Sequence, residues 1–216
     1  MDRVTVALLD DHPAVRAGIE AILEREPGIV AVGAAATEQE LWPLLRTARP
    51  DVVVLDLHHP GRDGLVLTLR IKRAPGAPRV VLYSAAGNGD LLVPATLARA
   101  DGIVDKSSSP DELVRVIRGE RPLPPVSPRQ QRRAAAELEP RDRPILAMRL
   151  AGTPPDEIAT TLRLSGRETD RRIAAVIARL AGDHAREAGE RATRAARPRD
   201  RRLVRFGRLM WTFVEQ

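Results

Sequence analysis

The stretch Val52-Val53-Val54-Leu55-Asp56-Leu57-His58-His59-Pro60-Gly61-Arg62-Asp63-Gly64 decides how this chain folds. Four consecutive apolar residues, three of them β-branched, stop at an acid, and a turn rich in Pro and Gly follows. A short apolar run bounded by turn residues reads as a strand buried on both faces. It leaves a carboxylate at its carboxyl end. Working outward, comparable runs occur at Val4–Leu9, Ile29–Ala35, Val80–Tyr83 and Gly102–Val104. Apolar residues three and four apart lie between and after them, as in Val15, Ile19, Ile22 and Leu23, in Leu65, Leu69 and Ile71, and in Leu113, Val116 and Ile117. That spacing belongs to one face of a helix. The alternation predicts a doubly wound α/β domain over residues 1–119, a five-stranded parallel sheet covered on both sides, in flavodoxin-like strand order.

Composition bounds the rest. The chain has 216 residues, room for two small domains, and is 43% hydrophobic but only 2% aromatic, so its cores are built from Val, Leu, Ile and Ala. It contains no cysteine, which excludes a disulfide framework and thiolate metal sites. There is no apolar run of about 18 residues, and the opening Met1-Asp2-Arg3 passes directly into a strand pattern without a signal peptide. A cytoplasmic protein with no membrane partner is expected. The net charge of +6 is uneven. Residues 1–121 carry 15 basic and 17 acidic side chains, residues 122–182 carry 11 and 7, and residues 183–216 carry 9 and 5. An acidic front and a basic back point to a polyanion as partner of the back half.

Residues 120–137, with Pro122, Pro124, Pro125, Pro128 and a run of Arg and Gln, read as a linker. Residues 138–182 are helical in pattern, with breaks at Gly152–Pro155 and Leu164–Gly166 and a third helix over Gly166–Leu180. Asp142 can cap the first of these helices. A helix, a short turn and a second helix make a helix-turn-helix, an all-α second domain whose last helix enters a DNA groove. Residues 183–216 form a basic, Arg/Ala-rich extension, a helix candidate of its own, ending in the apolar Leu209–Val214 and suited to docking or pairing.

In a doubly wound sheet, chemistry collects at the carboxyl ends of the strands. Here those ends carry Asp10-Asp11, Asp56, Ser84 and Asp105-Lys106. Converging carboxylates repel each other unless a hard cation joins them, and Mg²⁺ suits Asp10, Asp11 and Asp56. Such an Asp can be a nucleophile toward a phosphoryl group, with a hydroxyl and an ammonium neutralising the transferred oxygens. Lys106 is one of only two lysines among 35 basic residues; a compact point charge at this strand end suggests a chemical need. The alternative is that these acids are strand-end turn formers. His12, His58 and His59 sit too close along a loop to suggest a metal site of their own.

Asp10-Asp11-His12-Pro13, the Asp56–Gly64 block, Ser84 and Lys106 together resemble the receiver domains of two-component response regulators, across 118 residues. The resemblance implies that Asp10, Asp11 and Asp56 hold Mg²⁺, that a histidine kinase phosphorylates Asp56, and that Ser84 and Lys106 sense the phosphoryl group. Pro60 and Gly64 would shape the loop after the acceptor. The family places an aromatic residue three positions before the lysine, a switch position held here by Ile103; His59 stands where it prefers an aliphatic one.

Pro140-Arg141, Arg143, Glu157-Ile158-Ala159, Leu162, Leu164-Ser165 and Leu180 resemble the output domain of NarL/FixJ-type (LuxR-type) regulators without a gap. This implies a DNA-binding transcription regulator that forms a homodimer on phosphorylation. DNA contacts are expected from Arg167, Thr169, Arg171 and Arg172. Glu168-Thr169-Asp170 replaces the family's Thr-Val-Lys, placing two carboxylates where DNA phosphates would lie. An alternative is therefore an atypical regulator acting through protein contacts, for example as a heterodimer with another regulator. No enzyme activity beyond slow self-dephosphorylation is expected.

Overall fold

A computed structural model describes residues 3–57, 63–85 and 88–195, with only the backbone for 88–90 and 183–195. His58, His59, Pro60 and the apolar end of the basic extension lie outside the described residues. Strands β1 (Val4–Leu9), β2 (Ile29–Ala35), β3 (Val52–Asp56), β4 (Arg79–Ser84) and β5 (Gly102–Asp105) alternate with helices α1 (Pro13–Glu24), α2 (Glu38–Ala48), α3 (Gly64–Ile71), α4 (Asn88–Ala98) and α5 (Pro110–Arg118). All strand pairs are parallel and the order is β2-β1-β3-β4-β5, the doubly wound arrangement expected.

Alternation along the strands divides the apolar side chains between two layers. Val6, Leu8, Val54 and Val81 pack with α1 and α5 through Ile19, Leu23, Leu113 and Ile117. Ala7, Leu9, Val53, Leu55 and Leu82 turn to the opposite layer, beside Leu41, Leu65 and Leu97 from α2, α3 and α4. Each Val, Leu or Ile side chain so removed from water contributes about 1.5–3 kcal/mol. Gly119 closes α5 in the left-handed conformation at φ 78°, where a Cβ would be strained.

The second half consists of α6 (Pro128–Glu137), α7 (Arg143–Leu150), α8 (Pro155–Leu162) and α9 (Gly166–Ala195). Its core residues Ile145, Leu146, Ile158, Ile173 and Ile177 are continuous with the α2–α4 layer of the first half. Helix α9 packs against both α3 and α4.

Three expectations are corrected here. The second half of the 120–137 segment is not a bare linker but helix α6. Ser127 and Gln130 start it with a reciprocal capping box, and Ala134 is buried. The third helix of the module does not end at Leu180 but continues to Ala195, because Gly182 stands alone and no proline follows before Pro198. Asp142 occupies the N-cap position of α7 without capping it. Its carboxylate accepts from Arg172 instead. No described helix is long and apolar enough to cross a membrane.

Candidate functional site

The carboxyl ends of β1, β3, β4 and β5 meet because the strands are parallel and in register, with Asp56 paired to Tyr83 and Ser84 to Asp105. Asp10, Asp56 and Ser84 are buried to within 2%. Lys106 reaches in from the end of β5, its Nζ 2.8 Å from Asp10 Oδ2 and 3.0 Å from Asp56 Oδ2. Its backbone N–H donates to the Ser84 carbonyl at 2.7 Å. Burial alone would lower the Lys106 pKa; the hydrogen bond to Asp10 and the charge of Asp56 outweigh it and raise the pKa above the ordinary lysine value. The ammonium is held charged against two buried acids, which are costly to bury unpaired.

Asp10 is anchored from two sides. The His12 backbone N–H donates to its Oδ1 at 2.8 Å, and Arg16 donates to its carbonyl at 2.7 Å. Asp11 Oδ1 is buried and receives no hydrogen bond from the described residues, although His12 Nδ1 approaches it at 2.9 Å. Ligand atoms of Asp10, Asp11, His12 and Asp56 lie within 4.8 Å of one another. An unfilled carboxylate oxygen amid clustered acids fits a hard divalent cation such as Mg²⁺. Gly64 lies against this site. Its N–H donates to the Leu57 carbonyl, and a Cβ there would stand 2.9 Å from the Asp56 carbonyl oxygen and 2.8 Å from Leu55 Cδ2.

Ile103, the expected switch position, is partly buried against the α4 layer together with Leu123. It borders a cavity of about 250 Å³ shared with Leu92, Val116 and Leu123. The position faces the segment leading to the second half.

The expected DNA-contacting residues divide. Arg167 and Arg171 are exposed, and Arg171 pairs with Glu168. Arg172 bonds the Asp142 carboxylate and the Arg141 carbonyl, so it ties α9 to the start of α7. Thr169 is fully buried, with no hydrogen-bond partner for Oγ1 among the described residues; this corrects its assignment to a DNA-facing surface. It begins the inward stripe Thr169-Ile173-Val176-Ile177-Leu180, a helical period visible in the sequence but masked by the polar hydroxyl.

Two residues of the interface between the halves escaped the sequence reading. Asp170, expected where DNA phosphates would lie, pairs with Arg73 just beyond α3. Arg149 on α7 is 3% exposed, and its Nη2 donates to the Leu97 carbonyl of α4 at 2.5 Å. Burial, then Arg99 and Arg73, push its pKa down to about 10. No pattern in the sequence distinguishes a buried interdomain arginine from an exposed one.

Comparison with known proteins places this geometry. Residues 6–118 match the family described as response regulator receiver domain. The nitrate/nitrite response regulator NarL of Escherichia coli K12 is 30% identical over 176 residues, 74% of this chain and 82% of that protein. The response regulator UvrY of the same organism is 32% identical, covering 75% and 81%. Among solved structures, a LuxR-family two-component response regulator from Aurantimonas is 36% identical, covering 63% of this chain and 98% of that one with a TM-score of 0.52. RcsB of Salmonella typhimurium is 26% identical, covering 83% and 92% with a TM-score of 0.54. The chain therefore belongs to the response regulators, of the NarL/FixJ type, with a receiver fold followed by a helix-turn-helix module.

Proposed function

We propose that this regulator is a cytoplasmic transcription factor whose DNA binding is controlled by phosphorylation of Asp56 by a histidine kinase. The observation that carries the reading is the buried pair Asp10 and Asp56 bridged by the Lys106 ammonium. An Asp56 oxygen attacks the phosphorus of a phosphohistidine. The P–N bond breaks toward the imidazole, which takes a proton, and an acyl phosphate forms on Asp56. Asp10, Asp11 and Asp56 would hold Mg²⁺, which when bound would supply positive charge to the phosphoryl oxygens. Lys106 exchanges a carboxylate contact for a phosphoryl oxygen, and the Ser84 hydroxyl donates to another. Slow hydrolysis of the acyl phosphate resets the site.

In the described conformation the amino end of α9 is engaged with the receiver half through Asp170 and Arg73. DNA access then requires the halves to part, and phosphorylation favours the parted, homodimeric form. The likeness to RcsB, a response regulator described for its conformational dynamism in DNA interaction, supports this reading. Selection from pooled genomic fragments with and without Mg²⁺ and beryllofluoride, at fixed salt, tests it. Fragments enriched only with the phosphate mimic, and lost in Asp56→Asn, are expected. Enrichment that ignores the mimic overturns the control, and no enrichment overturns DNA as the partner.

A second reading has its own support: Thr169 is a core residue, Arg171 is paired with Glu168, and Arg172 with Asp142. These pairings favour an output module that contacts a protein, such as another regulator in a heterodimer. Replacing Glu168 with Thr and Asp170 with Lys separates the two. DNA binding that is strong in the native chain and lost in this variant rejects the protein-contact reading.

A further inference from the structure

We propose that Tyr83 is a positioning residue for the Lys106 ammonium, an aromatic wall that holds it over Asp10 and Asp56 and governs its transfer to an incoming phosphoryl group. The inference rests on phosphoryl chemistry at Asp56. Tyr83 is the only tyrosine of the chain. It stands on β4 between its neighbours Asp56 on β3 and Val104 on β5. Alternation sends its ring to the α1/α5 layer, where it is partly buried against Val81, Val104 and their neighbours. Ser84, next in sequence, is fully buried.

Lys106 Nζ lies 5.6 Å from the centroid of that ring, within the distance at which an ammonium is attracted to an aromatic face. The geometry explains why a wall is useful. A lysine ammonium sits on a flexible four-carbon stem and carries three donors. Here it bonds Asp10 and Asp56 at 2.8 and 3.0 Å. The ring attracts the cation without offering a strong acceptor, and it removes water from one side. The ammonium is therefore confined to the carboxylate side, yet can exchange Asp56 for a phosphoryl oxygen. Burial raises the phenol pKa, opposed by Lys106 and assisted by Asp10 and Asp105, so the ring is uncharged at neutral pH. Ile103, on the other layer, faces the segment around Leu123 and is an aliphatic group that gives no such contact.

The composition makes the test direct, since the chain has one tyrosine and two lysines, Lys72 and Lys106. Full-length protein labelled with ¹³C-lysine gives two ε-CH₂ signals, assigned with Lys72→Arg. The Lys106 signal is expected upfield by the ring current, and to move on adding Mg²⁺ and beryllofluoride. Tyr83→Phe keeps both properties, and Tyr83→Leu loses the ring-current shift. With acetyl phosphate as donor, Tyr83→Leu is expected to slow Asp56 phosphorylation about two- to thirty-fold, the range of one cation–π contact; Tyr83→Phe stays at the native rate. A native Lys106 signal with no ring-current shift overturns the proposal without any variant. So does a Tyr83→Leu protein phosphorylated at the native rate. Failure of the native chain to be labelled, or labelling unchanged in Asp56→Asn, instead overturns the phosphoacceptor reading on which the proposal rests.

Discussion

Reversing the charge of Arg73 is expected to open this regulator without touching its pocket or its DNA-facing residues. Arg73 follows α3 in the receiver half and pairs with Asp170 near the start of α9. The partners are 41% and 37% exposed, so the pair belongs with partly solvated bridges, worth about 0.5–1 kcal/mol. Arg73→Glu removes that attraction and sets two carboxylates face to face, a repulsion of similar size. Arg73→Glu also replaces the repulsion between Arg73 and the buried Arg149 by an attraction, which offsets part of this, so the closed arrangement should lose about 0.5–1 kcal/mol and the open-to-closed ratio rise roughly 2–5-fold. Because the chain has no cysteine, Glu24→Cys and Glu157→Cys can carry a specific donor–acceptor dye pair, and single-molecule energy transfer reads the two populations. Adding Asp170→Arg restores an opposite-charge pair and the native distribution. The shift should shrink in about 1 M salt, where the screening length falls to about 3 Å. An unchanged distribution in Arg73→Glu, or no restoration in the double variant, refutes the reasoning.

Three further outcomes follow from the geometry. Gly64→Ala drives a Cβ onto the Asp56 carbonyl and Leu55; it should cost about 1–3 kcal/mol in urea unfolding and slow phosphorylation, because the backbone that carries the acceptor must shift. Lys106 has a folded pKa raised above its unfolded value of about 10.4. Its contribution is therefore complete below that pH and lost as pH rises through the folded value. Guanidinium midpoints should show Lys106→Met well below the native chain at about pH 8, with the gap narrowing at about pH 11. A gap of constant size would refute the pairing. Arg149→Leu removes a buried cation that has no carboxylate partner in the described residues, so it should leave urea stability unchanged or raise it by up to about 2 kcal/mol. Any loss of stability would show instead that the bond to Leu97 outweighs the cost of burial.

The receiver pocket was legible because its residues sit at strand ends, and strands announce themselves by apolar runs. Asp10, Asp56, Ser84 and Lys106 each close such a run. Parallel pairing leaves no place for them but one edge of the sheet. The α6 helix was not read: its one signal, the Ser127–Gln130 capping box, lies among prolines that made the segment look like a linker. Thr169 was misplaced because a hydroxyl was weighed above its helical period.

What the amino-acid sequence determined by itself is thus the local and periodic part: strand and helix identity, the doubly wound order, and the convergence of the acidic site. Tertiary structure alone decided that Asp170 faces Arg73, that Arg149 lies buried against Leu97, and that Tyr83 lies beside the Lys106 ammonium. The physical reason is range. Hydrophobic periodicity is written within a few residues and survives any arrangement of the halves. An ion pair or a cation–π contact depends instead on two surfaces meeting, and a charged side chain reads the same in sequence whether water or another domain lies opposite.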